Sequence, residues 1–311
     1  MQTTRGSGPR QEREVPQIGG QLDDEHCKEV LSLMNHTSDG KIILQKMKET
    51  FEYRQRLIHN PDESHTVLSV FPRLLDTKGL IHQDFSLLFG PETSAKLLEK
   101  WHTLYKSEVI TTPVLQSLLR SARNRHNDDR PDSWSFGLRN PEMVRGSWLN
   151  GLGVKVKKRK ETCDRNKTPG LFFFFCSCIS YHLSLLKRKH RAAQAMDHLV
   201  VFHKSCRNLD EHIENQEGHY QPYLLASGTC KQAISTYYIV IDKKLIPCQG
   251  TTSLAAVGEL FKVHFVFRVS YNAALNNMYT FLQTTVYGVD VDTTKESPKV
   301  KELRAKFMNR S

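Results

Sequence analysis

Residues 236–242 read TYYIVID, and this run decides the fold class. It is β-branched and aromatic almost throughout, the composition that suits a pleated, half-buried strand. Leu245-Ile246-Pro247-Cys248 can pair with it as a hairpin across Asp242-Lys243-Lys244. Upstream, Pro222 precedes a short strand, Tyr223 to Ala226. Helical spacing surrounds these strands. Ala195, Met196, Leu199, Val200 and His203 predict one helix, and Thr252 or Ser253 caps another through Leu254, Val257, Leu260 and Phe261. Asn272 opens a third with Leu275, Met278, Tyr279, Leu282 and Val286, and Ser297-Pro298 starts a charged last helix. Phe265, Phe267, Val269 and Tyr271 alternate, which predicts a further strand. Residues 192–311 therefore read as a small α+β domain with few strands.

Toward the N-terminus the strands vanish. Ser38 and Asp39 can cap a helix with Ile42, Ile43, Met47, Phe51 and Leu57/Ile58 on its apolar face, and Pro61 follows its end. Thr66 to Phe71 is a short segment before Pro72. Ile81 to Phe89 forms another helix, with Gly90 placed for a left-handed C-cap. Thr93 or Ser94 opens a helix with Leu97, Leu98, Trp101, Leu104 and Tyr105 on one face, and Thr112-Pro113 opens the next. Residues 22–124 thus read as a helical N-terminal bundle. Residues 1–21 read as a disordered tail. Residues 125–153, which hold Trp134 and Trp148, read as a linker.

The chain has 311 residues and a net charge of +11. A mean hydropathy of −0.49 excludes a protein of several membrane spans. A basic balance ordinarily points to nucleic acid or an anionic surface. Here the charge is local. Residues 154–191 carry eleven basic side chains against Glu161 and Asp164, a net +9, leaving only +2 for the rest.

That segment, VKVKKRKETCDRNKTPGLFFFFCSCISYHLSLLKRKHR, admits four readings. Lys157, Lys158, Arg159 and Lys160, with Lys187, Arg188 and Lys189, form clusters suited to a nuclear-import receptor or another polyanion. Leu171 to Leu186 suits a membrane-associated stretch, although at 16 residues it is short for a span of about 20. Cys163, Cys176, Cys178 and His182 are close in sequence but lack the usual zinc-knuckle spacing. Finally, the pyrimidine-rich codons that Phe, Leu, Ser and Cys permit would suit a translated splice-acceptor tract, and a retained intron or gene-model artefact is the leading reading of the four.

The seven cysteines are irregularly spaced, and the N-terminus lacks the apolar run of a secretory signal. Free thiols in a reducing compartment, cytoplasmic or nuclear, fit that pattern. The sequons at Asn35, Asn166 and Asn309 are then chance matches. No nucleophile elbow, Walker loop, dinucleotide fingerprint or His-Glu-x-x-His motif occurs. His198, His203 and Cys206 fall on one expected helix, where a partly buried face is the better reading than a metal site. Cys230 and Cys248 lie near strand ends, with no base placed by spacing. No catalytic residue, metal ligand or cofactor is assigned.

The runs QPYLLASGT, STYYIVIDKKLIPC, ELFKVHFVFRVSYNAALNNMYTFLQTTVYGVDV and TTKESPKVKELRAKF resemble a group of fish proteins. These are described as sterile alpha motif domain-containing protein three-like. FPRLLDTKGLIHQDFSLLFG and LLEKWHTLY resemble the helical region of the same group. The sterile alpha motif itself is not evident, and residues 150–191 depart from the group's pattern. The resemblance implies no activity, substrate or site residue. The expectation is an intracellular, non-enzymatic module that binds a protein partner. The alternatives are nucleic-acid binding through residues 154–191 and membrane association through Leu171 to Leu186.

Overall fold

The computed structural model describes residues 8–14, 16, 24–101, 103, 197–205, 208–214, 221–230 and 233–308. It is an α+β fold: helices first, then a four-stranded sheet with further helices.

The first helix, α1 (Asp24–His36), buries Cys27, Val30 and Met34 along one stripe. Next, α2 (Gly40–Glu49) begins where the Asp39 carboxylate accepts from the Lys41 N–H at 2.8 Å. The single helix expected from Asp39 to Ile58 is in fact two. Thr50 ends α2 at φ −90° and ψ 9°, and α3 (Phe51–His59) starts there. The expected segment before Pro72 is the single turn α4 (Val67–Val70). Then come α5 (Leu80–Phe89) and α6 (Pro91–Lys100). Gly90 joins them at φ 85° and ψ 153°. The positive φ was expected, but this region is not the left-handed helical one, and a side chain is excluded from it. The α6 helix thus opens at Pro91 rather than at Thr93 or Ser94.

In the second half, β1 (Val200–Lys204) runs parallel to β2 (Tyr223–Cys230). The helix expected over Ala195–His203 is therefore corrected from Val200 onward: Val200 and Val201 face opposite sides of a sheet. The crossover between these strands carries the short α7 (Leu209–Glu214). The pair β3 (Ala233–Ile241) and β4 (Lys244–Pro247) forms the expected hairpin. Its two-residue loop, Asp242-Lys243, has φ 49° and 57°, the signs a type I′ turn requires. Sheet order is β1-β2-β3-β4.

One sheet face packs Tyr223, Leu225 and Val240 against Ile213. The other packs Leu224, Ala226, Tyr237, Ile239 and Ile246 into the main core. Through that core runs α8 (Ser253–Val266), capped by Thr252, whose hydroxyl accepts from Ala255 N–H. Phe265 belongs to this helix, so the strand expected over Phe265–Tyr271 is corrected. The helix is buried on nearly every side, and its apolar residues lack the one-faced spacing that marks a surface helix. After α9 (Asn276–Phe281) the chain widens into a π-helix, Leu282–Tyr287, and α10 (Pro298–Met308) closes the fold.

The helical half and the sheet half share a single hydrophobic cluster. Phe85 of α5 meets Phe265 and Tyr287 edge-on, at 5.8 and 5.7 Å between centroids. Trp101, at the end of α6, is 2 % exposed in the same cluster. The expected linker and insert, 125–153 and 154–191, lie outside the described residues. The disordered tail expected at 1–21 is corrected over residues 8–14, where the backbone folds onto the core. Gly8–Arg10 form a 3-10 turn with Gly8 and Pro9 buried.

Candidate functional site

Among the described residues, a cluster centred on Arg13 holds that N-terminal segment. Gly8 has φ +67°, and a Cβ there would stand 3.4 Å from the Tyr271 ring, so the backbone lies close on an aromatic surface. Arg13 then turns back. Its guanidinium donates to the carbonyls of Gly8 (2.9 Å), Pro9 (3.1 Å) and Gln11 (3.1 Å). It also pairs with the carboxylate of Asp290. The same group lies 5.2 Å from the Phe265 ring centre and 5.6 Å from that of Phe89. A planar cation between aromatic faces and a carboxylate has its charge, stacking and donor geometry satisfied together.

The receptor for Arg13 is unusual backbone. The π-helix places Gln283 inward, and Gln283 is fully buried. Its amide donates to Asp290 Oδ2 (3.1 Å) and Thr294 Oγ1 (3.0 Å), and its carbonyl accepts from Tyr271 Oη–H (3.1 Å). The chain then passes Gly288 and Asp290 at φ 65° and 51°. A π-helix and a non-glycine residue at positive φ both have a free-energy cost, and both recur where a side chain must be aimed. Here they aim Asp290. Arg268 donates to the Arg10 carbonyl (3.0 Å), and Thr293 donates to the Gln11 side chain (2.9 Å). Beside Arg13 a small recess remains, walled by Gln55, His59, Leu88 and Arg268. Burial, with the charges of Arg268 and Arg13, holds the His59 imidazole below its usual range.

A second polar cluster lies between the halves. Lys262 of α8 donates to His82 Nδ1 at 2.8 Å, and the Ser94 hydroxyl stands 3.2 Å from the same nitrogen. Burial pushes the Lys262 ammonium down to about 8, against the pull of Glu259. Burial and then Lys262 lower His82. The Glu259 carboxylate accepts the N–H groups of Gln249 (3.0 Å) and Gly250 (2.6 Å), yet burial still raises it. A serine and a histidine meet here, but one lone pair on Nδ1 serves both Lys262 and Ser94. Ser94 is also 2 % exposed. The arrangement ties α5 and α6 to α8 rather than presenting a nucleophile.

The basic residues singled out earlier, Lys157, Lys158, Arg159, Lys160, Lys187, Arg188 and Lys189, lie outside the described residues. So do Leu171 to Leu186, Cys163, Cys176, Cys178, His182 and Cys206. His203 lies on β1, buried beside its register partner Ser227, so the helix face expected for it with Cys206 is corrected. Among the described residues no three of His, Cys, Asp and Glu come together as a metal site would need. Among them, too, no helix is long and apolar enough to cross a membrane. Sequence reasoning missed the Arg13–Asp290 site because its partners stand 277 positions apart.

No curated protein and no solved structure matches the chain. Residues 21–77, which hold α1 to α4, match the family described as "Sterile alpha motif domain-containing protein 3, helical domain", and this part of the chain is similar to it.

Proposed function

We propose that the chain is a non-enzymatic, intracellular protein-interaction module, with the likeness to sterile alpha motif domain-containing protein 3 extending into its second half. The observation that carries the reading is the seating of residues 8–14, an irregular peptide held by Phe89, Phe265, Tyr271 and Asp290. A surface that holds such a segment through one stacked arginine has the anchor-and-rim character of peptide recognition. The test is affinity capture of the tagged full chain, followed by rebinding of purified candidates. The expected result is a protein retained near stoichiometry that rebinds when pure. A chain that retains no protein above the tag control overturns the reading, and turnover of a small molecule would replace it with an enzyme.

A second reading rests on the net +9 of residues 154–191. It is nucleic-acid binding, in which affinity falls steeply with salt as phosphate counterions are released. Deleting residues 154–191 should abolish such binding. Unchanged binding after the deletion refutes that site.

A further inference from the structure

We infer that His82 is a proton-operated switch at the seam between the helical half and the sheet half. On protonation its Nδ1 exchanges a hydrogen bond with Lys262 of α8 for one with Ser94 of α6, and the hold of α5 on α8 loosens.

Donor chemistry fixes the neutral state. An ammonium donates and never accepts. Lys262 Nζ lies 2.8 Å from His82 Nδ1, so that nitrogen holds a lone pair and the ring proton sits on Nε2. The Ser94 hydroxyl, 3.2 Å from the same nitrogen, is the more distant of the two. Protonation reverses the roles. An Nδ1–H donates to the Ser94 oxygen, but it repels the ammonium. Among the described residues, no other acceptor lies within hydrogen-bond distance of Lys262 Nζ. Lys262 is 4 % exposed, so bulk water replaces the lost acceptor only if α5 and α8 move apart.

The position makes this local event matter. His82, Ser94 and Lys262 come from α5, α6 and α8, the helices through which the two halves meet. Lys262 also stands 5.6 Å from the ring centre of Phe85, which carries α5 into the shared core. A Cβ at Gly258 of α8 would lie 3.1 Å from Leu97 of α6, so these helices are in close contact beside the switch. His82 itself is exposed, and a proton reaches it without unfolding.

The charged neighbours leave this logic intact. Burial and then Lys262 disfavour the His82 cation. Glu259 faces Lys262 from the same helix, and Lys78, ahead of α5, faces Glu259. On α6, Lys96 donates to the Tyr287 carbonyl at 2.7 Å, and on α5, Asp84 is held by Arg54. The contact requires neutral His82. It is therefore complete above the ordinary imidazole range and is lost as pH falls below it.

The experiment is hydrogen exchange on the full chain at about pH 7.5 and about pH 5.5, corrected for the intrinsic pH dependence of amide exchange. Amides of α5 and α6 should open roughly three- to ten-fold more often at the lower pH, the change that one net hydrogen bond makes to an opening equilibrium. His82→Gln keeps a carbonyl acceptor for Lys262 but does not titrate, so it should abolish the acceleration in α5 and α6. Acceleration that His264 brings to the whole core should persist in both proteins. A wild type without the acceleration, or a His82→Gln chain whose α5 and α6 respond as wild type does, overturns the inference.

Nitrogen NMR of the imidazole tests the wild type without relying on that variant. His82 Nδ1 should be unprotonated at neutral pH, and a protonated Nδ1 there overturns the inference. In Lys262→Met the His82 titration should move upward, because the facing cation is gone. A titration that stays where it was in wild type overturns the pairing.

Discussion

Arg54 and Asp84 meet side-on in the core, with Nη2 2.7 Å from Oδ1 and Nε 3.0 Å from Oδ2. Neither side chain is more than 1 % exposed. Arg54 also donates to the Met47 carbonyl (2.9 Å) and the Thr50 hydroxyl (3.1 Å), and its guanidinium lies 5.0 Å from the Phe71 ring centre. One residue of α3 thereby holds the α2–α3 break and α5 together. Arg54→Ala leaves a buried carboxylate without its cation and should cost about 3–5 kcal/mol in denaturant unfolding. The double change Arg54→Met with Asp84→Leu should recover most of that loss. A single variant within about 1 kcal/mol of wild type would show that the pair carries no such role.

Phe85 predicts how the whole chain unfolds. Because it packs into Phe261, Phe265 and Tyr287, the helical and sheet halves should melt in one cooperative transition. Phe85→Ala should lower stability by about 3–5 kcal/mol and lower it equally for probes in both halves. Two separated transitions in wild type, or a loss confined to the helices, would contradict the shared core.

The sequence displayed those parts of this fold that are local. The TYYIVID strand, its hairpin turn and the caps at Asp39 and Thr252 depend on neighbours within a few residues. The errors came where burial erased periodicity. Around Val200 the apolar residues suited a helix stripe, and only pairing with Leu224 makes a strand of them. In α8 the burial is nearly complete, so Phe265 to Tyr271 mimicked strand alternation. The Arg13 site could not be read at all, since Asp290 acquires its meaning from a π-helix that no local pattern announces.

His264 should make the protein acid-sensitive. It is fully buried, its Nδ1 faces the Val269 carbonyl at 3.1 Å, and its ring packs on Tyr271 and Tyr279. Burial pushes its pKa down to about 4, against the carbonyls of Val269 and Ser270. Between that value and the ordinary one near 6.5, the unfolded chain holds a proton that the folded chain does not. Its contribution is therefore complete above pH 6.5 and lost as pH falls toward 4. The loss should be on the order of 3 kcal/mol. In urea titrations across this window, His264→Asn should show a flatter slope than wild type. An equal slope would refute the assignment.

Lys262 should act at the alkaline end. Its folded value near 8 lies below the ordinary 10.5, so the unfolded chain again binds the extra proton between them. Stability should rise with pH across that window as the desolvation cost of the ammonium is relieved. The value near 8 already includes the opposing pull of Glu259, so the gain across the window is on the order of 3 kcal/mol. Lys262→Met should remove the rise. The check is the difference between the two proteins' unfolding free energies at pH 7.5 and 10.

The shared core also bounds the closure cost of the connection between the two halves. Trp101 and Leu199 enter the same cluster, so everything between them is anchored at both ends to one body. Of the 93 residues from 104 to 196, the basic segment 154–191 supplies 38. Even in the limit of a freely jointed connection, closure entropy grows only logarithmically with length. Adding that segment is less than a doubling and costs under about 0.6 kcal/mol. Loop closure by itself therefore sets almost no limit on the length of chain between Trp101 and Leu199.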